Sequence, residues 1–197
     1  MVNIDKNLLD AHIRGDKTAF RELVLRHGDA LLGYLVHITG SRDQAEDLFQ
    51  ETFKRVHEKG HSFAGGHFRN WLLTIATNIA IDRLRRRGRI RFFSLDRTTD
   101  CDGQMDCPKV NALPVSDNNY DPSEEASRNE QKVRVRQAVL SLPAKQRLTL
   151  VLAYYQRLSY SEIAQVSGCS VGTVKTRMFR ALRTLAERLP ESVGAYK

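Results

Sequence analysis

Cysteine is scarce: the 197 residues contain three, Cys101, Cys107 and Cys169. Three thiols cannot all pair within one chain, which excludes a disulfide scaffold and suits a reducing compartment. Cys101 and Cys107 have no nearby histidine and no second CxxC, so a zinc set is not expected. The six histidines are scattered. No glycine loop has phosphate-cradling spacing, and no nucleophile sits beside a base. The expectation is therefore a protein that is not an enzyme, with no metal and no cofactor. Long apolar runs are also missing: none approaches the ~20 residues that span a bilayer. The N-terminus begins polar and lacks the apolar segment of a secretory signal. These features lead us to expect a cytoplasmic chain with no membrane insertion.

Acidic residues are in deficit, 23 against 31 basic, for a net charge of +8. Such a balance suits a polyanionic partner. The distribution is more informative. Residues 1–93 carry +5, residues 94–130 carry −6 and residues 131–197 carry +9. Two basic modules flank an acidic connector. Hydrophobic content is 41%, enough for a core.

The most pointed local pattern runs from Ser159 to Leu185. Ser159 and Glu162 form a capping-box pair at the start of a helix. Ile163, Ala164 and Val166 give that helix an apolar face, and Gly168 marks its stop. Ser170 can cap a second helix, in which Val171, Val174, Met178, Leu182 and Leu185 recur at helical spacing. A small residue, a turn glycine and a core aliphatic at these offsets are what a helix-turn-helix needs. Lys175, Thr176, Phe179, Arg180 and Arg183 are left on the other faces, where they can meet DNA.

In the first module, helices are expected over 3–14, over 17–39 and from Arg42 to Lys59, the last capped by Ser41. Asp43, Glu46, Asp47, Gln50 and Glu51 make a polar, mostly acidic patch on the third helix. Within a basic module, such a patch suits docking on a protein. A glycine-rich loop, 60–66, carries Phe63. The fourth helix begins at His67 and ends in Arg83, Arg85, Arg86, Arg87, Arg89 and Arg91. Its core stripe is Phe68, Trp71, Leu72, Ile75 and Ile79. Asn70, Thr74, Thr77, Asn78 and Ile81 lie toward another side. A hydrogen-bonding face, a loop aromatic and clustered arginines suit single-stranded nucleic acid.

Residues 94–121 have linker composition. Asp121-Pro122 then opens a helix whose apolar side is Val133, Val135, Ala138, Val139 and Leu142. Pro143 opens another, with Leu148, Val151, Leu152 and Tyr155 expected inward. Together with the helix-turn-helix these make a second four-helix unit.

Three stretches, DQAEDLFQETFKRV, FAGGHFRNWLLTIATNIAIDRLRR and LPAKQRLTLVLAYYQRLSYSEIAQVSGCSVGTVKTRMFRALRTL, carry a family likeness. The chain resembles a bacterial RNA polymerase sigma factor of the extracytoplasmic-function group. The resemblance implies an all-α fold of two helical domains joined by an acidic flexible linker. Residues 1–93 would be a region 2-like domain, 94–121 the linker and 122–190 a region 4-like domain. It implies core RNA polymerase and promoter DNA as partners, with an anti-sigma factor as inhibitor. Asp47, Leu48, Gln50 and Glu51 would contact core polymerase. The 61–66 loop, including Phe63, would hold a flipped base, and Asn78 would read one. With Asn70, Arg83, Arg86 and Arg87 they make the expected minus-ten set. Lys175, Thr176, Phe179 and Arg180, with Arg183, would meet the minus-thirty-five element. The linker would run through the polymerase near its active site. Two rival readings are a stand-alone helix-turn-helix regulator and a helical scaffold binding RNA or acidic proteins.

Overall fold

The computed structural model describes residues 4–95 and 122–189, with side chains for 4–86 and 129–189. The connector with Cys101 and Cys107, and the side chains of Arg87, Arg89 and Arg91, lie outside the described residues. Within them, all regular structure is helical. The helices are α1 (Ile4–Ile13), α2 (Lys17–Thr39), α3 (Arg42–Lys59) and α4 (Phe68–Leu95), then α5 (Pro122–Leu140), α6 (Ala144–Tyr154), α7 (Tyr160–Ser167) and α8 (Val171–Arg188). A single 3₁₀ turn, Gly60–Ser62, opens the loop before α4.

Local chemistry sets the helix ends. Asp16 caps α2, its Oδ1 accepting from the Thr18 N–H at 2.8 Å and the Thr18 hydroxyl at 2.6 Å. Those bonds favour the carboxylate and hold the Asp16 pKa below its ordinary value. Ser41 caps α3, Ser159 and Glu162 form the full capping box of α7, and Ser170 caps α8. Gly40 closes α2 at φ +74°, and its N–H returns to the Val36 carbonyl. A β-carbon there would also stand 2.7 Å from Leu140 Cδ1. Both the left-handed backbone and the close approach of α5 favour glycine.

One apolar core runs through both halves of the chain. Leu23, Leu35, Ile38, Val56, Leu72 and Ala76 join Val151, Leu152, Ile163 and Val174 in one continuous cluster. A smaller cluster of Leu142, Leu150, Met178 and Ala181 ties α6 to α8. The two modules are thus packed together, α2 against α5 and α6, and α4 against α6 and α7.

Several side chains depart from the expected phase. Tyr155 is 53% exposed, because α6 ends at Tyr154 and the chain turns there through Arg157 at φ +53°. Gln156 is buried in its place. On α8, Ala181 is buried while Val171 and Leu182 are exposed, so the stripe follows Val174, Met178 and Ala181. Val133, expected on the apolar side of α5, is exposed. Thr77, expected on the polar side of α4, is fully buried and its Oγ1 lies 2.7 Å from the Tyr34 hydroxyl. Burial pushes the Tyr34 phenol well above its ordinary pKa.

The Tyr34–Thr77 pair is a self-contained polar contact in the core, which makes its cost measurable. Thr77→Val keeps the shape but leaves the Tyr34 hydroxyl without its partner, so stability should fall by ~1–3 kcal/mol. Thr77→Ser, which retains the oxygen, should fall less. Urea unfolding of both variants checks this; equal losses would show that packing, not the hydrogen bond, matters at this position.

Candidate polymerase and promoter interfaces

The polar face of α3 is less acidic in the fold than along the chain. Arg83 on α4 reaches Asp47 at 2.8 Å, Arg55 pairs with Glu51 at 3.0 Å, and Arg42 pairs with Glu46 at 2.8 Å. These pairs are solvent-exposed and contribute little to stability, but they mute the local negative field. Beside them a groove of about 710 Å³ opens between α3 and α4, with Gln50 and Lys54 on one wall and Asp82 and Arg86 on the other. Leu48 is only 2% exposed: it anchors α3 in the core, while Asp47, Gln50 and Glu51 offer the accessible groups.

The residues expected at the minus-ten element divide. Phe63 is half-buried in an aromatic cluster, with ring centroids 5.8 Å from Phe68 and 5.2 Å from Trp71. Asn78 and Arg86 are exposed on α4. Arg83 is turned toward Asp47, and the side chain of Arg87 lies outside the described residues. Asn70 is engaged by the other module: its Nδ2 donates to Glu162 Oε1 at 3.2 Å. The same carboxylate accepts from the Ser159 N–H at 2.9 Å through Oε2. Hydrogen bonds from Ser159 first, then from Asn70, hold the Glu162 pKa below its ordinary value.

The expected minus-thirty-five residues form one accessible stripe on α8. Lys175, Thr176, Phe179, Arg180 and Arg183 are all exposed. Phe179 is 67% exposed, so it has no packing role in this fold. Thr176 Oγ1 donates back to the Gly172 carbonyl at 3.0 Å, and Arg183 pairs with Glu187 at 3.1 Å. A helix N-terminal half with a lysine, a hydroxyl, an aromatic and an arginine on one face can reach base edges and phosphates in a major groove.

Sequence reasoning missed the residues that join the halves. Arg69 Nη2 donates to Gln156 twice, to the carbonyl at 2.9 Å and to Oε1 at 2.8 Å. Gln156 Nε2 donates to the Ala30 carbonyl at 3.0 Å. Arg147 Nη1 donates to the Ile38 carbonyl at 2.6 Å, and Arg136 Nη2 to the Gly40 carbonyl at 3.1 Å. Their ring neighbours His37 and Tyr155 stack with centroids 3.6 Å apart. Burial first, then the Arg136 charge, lowers the His37 pKa. No local pattern signals these contacts; a glutamine and arginines on half-polar helices read as solvated.

Residues 23–90 match Sigma-70 region 2, and residues 132–185 match Sigma-70, region 4. The chain is 33% identical to the RNA polymerase sigma-H factor of Pseudomonas aeruginosa, over 94% of this chain and 93% of that protein. It is 34% identical to the ECF RNA polymerase sigma factor SigE of Mycolicibacterium smegmatis, over 89% of this chain and 64% of that longer protein. Among solved structures, the sigma factor RpoE in complex with the anti-sigma factor NepR from Bartonella quintana is similar with a TM-score of 0.64 and 28% identity, covering 87% of this chain and 96% of that one. The fold is also shared with CnrH in complex with the cytosolic domain of CnrY, at a TM-score of 0.64 and 24% identity over 96% and 99% of the two chains. Both helical modules match in the same order and nearly along the full length, and the chain belongs to the extracytoplasmic-function sigma factors of the sigma-70 family.

Proposed function

We propose that this chain directs core RNA polymerase to promoters, with the first module carrying the polymerase contact and the minus-ten element and the second the minus-thirty-five element. The observation that carries the division is the exposed recognition stripe of α8, on a different module from the exposed Asn78 and Arg86 of α4. Promoter work places the protein in the cytoplasm, with the polymerase. No helix among the described residues is long and apolar enough to cross a membrane. A sigma-binding inhibitor is a further proposed partner, because the similar sigma factor RpoE is held in a complex with the anti-sigma factor NepR.

The packed arrangement bears on how the chain works alone. Asn70 must leave Glu162 before its amide can meet a base, and separating α4 from α7 uncovers part of the shared core. The free chain should therefore bind promoter duplex weakly, and core polymerase should supply the energy that parts the modules. Permanganate reactivity of thymines near the start site reports opening. Reactivity is expected only with chain and core polymerase together, and it should fall when the spacer between the two promoter elements is altered. Tight binding of the full promoter by the chain alone, with no reactivity added by polymerase, would instead support a stand-alone regulator.

On α3, Asp47→Ala combined with Gln50→Ala should weaken capture by core polymerase. Both side chains are exposed, so the melting temperature should stay nearly constant. Co-purification and thermal denaturation of the same preparation test the two halves of that statement. On α8, Arg180→Ala should weaken minus-thirty-five duplex binding by ~1–3 kcal/mol if Arg180 reads a base, or reduce the salt slope by about one if it meets a phosphate. Titrations at several salt concentrations separate these cases, and unchanged binding at all of them removes Arg180 from the interface.

A further inference from the structure

Where α4, α6 and the α7–α8 turn meet, the fold leaves a cleft of about 440 Å³, lined by none of the residues named above for the minus-ten or minus-thirty-five set. Its walls come from both modules. Ile81 and Arg85 of α4 face Lys145 and Leu148 of α6, with Cys169 and Arg177 closing the third side. Three cations line it and no carboxylate does. Several arginines elsewhere pair with acids: Arg26 with Asp5 and Glu22, and Arg42, Arg55, Arg83 and Arg183 with theirs. Among the described residues the side chains of Arg85 and Lys145 have no hydrogen-bond or ion-pair partner. Arg177 Nη1 has only the Cys169 sulfur at 3.4 Å, a weak acceptor for a guanidinium with five donors.

We propose that this cleft binds a small anion carrying two or more phosphate groups, and that the anion clamps the two modules together. The charge count selects the ligand class. Arg85 and Lys145 are exposed, so each alone is screened and would hold a monovalent anion poorly. A compact polyphosphate meets all three cations at once, and two of its partners present planar donor forks suited to phosphate oxygens. The cleft is concave and of small-ligand size. A free anion enters such a site between packed helices more readily than a duplex backbone does. Because Arg85 belongs to one module and Lys145 and Arg177 to the other, the site is complete only while the modules are packed. A ligand that binds only that arrangement stabilises it by mass action. The proposal concerns a small-molecule site and does not depend on the promoter reading.

Inorganic tripolyphosphate is the probe, titrated into the full chain by calorimetry with ionic strength held constant. Saturable binding to one site is expected, with a melting temperature that rises with the logarithm of ligand concentration. Arg85→Gln with Lys145→Gln should weaken binding about tenfold, as for two exposed charge contacts removed together. Both side chains are exposed, so the double variant should fold. Arg188→Gln, which removes a surface cation outside the cleft, should bind as the unaltered chain does. The ligand should also slow hydrogen exchange in α4 and α7. Absence of saturable binding, or equal binding by the double variant, overturns the site. Binding without slower exchange overturns the clamp.

Discussion

The C-terminal end of α2 is held by arginines from the other half of the chain. Arg147 donates to the Ile38 carbonyl and Arg136 to the Gly40 carbonyl. The last carbonyls of a helix have no partner within it and carry its partial negative charge, so cations there are favourable twice over. Burial lowers the Arg147 pKa, the sign of a charge drawn from water toward those carbonyls. Since α2 packs on α1, α3 and α4 as well as on α5 and α6, this corner fixes the second module against the first. Gly40 makes it possible, bringing Leu140 closer than a β-carbon would allow.

The helices were legible because their determinants are local. Ser41, Ser159 and Ser170 cap where the sequence places them, Gly40 and Gly168 take the left-handed conformation, and α2 runs from Lys17 to Thr39 as its apolar period requires. The phase was less legible near helix ends. Tyr155 fits the α6 period but lies just past the last helical residue, so extrapolating the period one position too far put the wrong side chain inward. On α8, Ala181 and Leu182 are neighbours, and the smaller one takes the buried place because α6 and α5 approach closely there.

The candidate site divides in the same manner. The α8 stripe needed only helical phase, and its members are accessible together. The α3 patch needed knowledge of α4, since Arg83 lies 36 positions along the chain from the Asp47 it neutralises. Asn70 was legible as polar and its present partner was not, because Glu162 is 92 positions away and already accounted for as a capping residue. Glu162 thus does two jobs with its two oxygens, one local and one across the interface. Losing the distant bond leaves the helix cap intact.

The bonds between the modules are also lopsided in chemistry. Arg69, Asn70, Arg136, Arg147 and Gln156 donate from side chains, and most of the acceptors are main-chain carbonyls, those of Ala30, Ile38, Gly40 and Gln156, with Gln156 Oε1 and Glu162 Oε1 the side-chain acceptors. A carbonyl is present whatever residue carries it. Drift in sequence at Ala30 or Ile38 can therefore alter side-chain packing without erasing an acceptor, while a single change at a donor erases a bond outright. The two ends of such a bond are consequently subject to different rules of substitution: the donor is held by residue identity, a carbonyl acceptor only by backbone path, and only Gln156 Oε1 and Glu162 Oε1 tie the accepting end to a side chain as well.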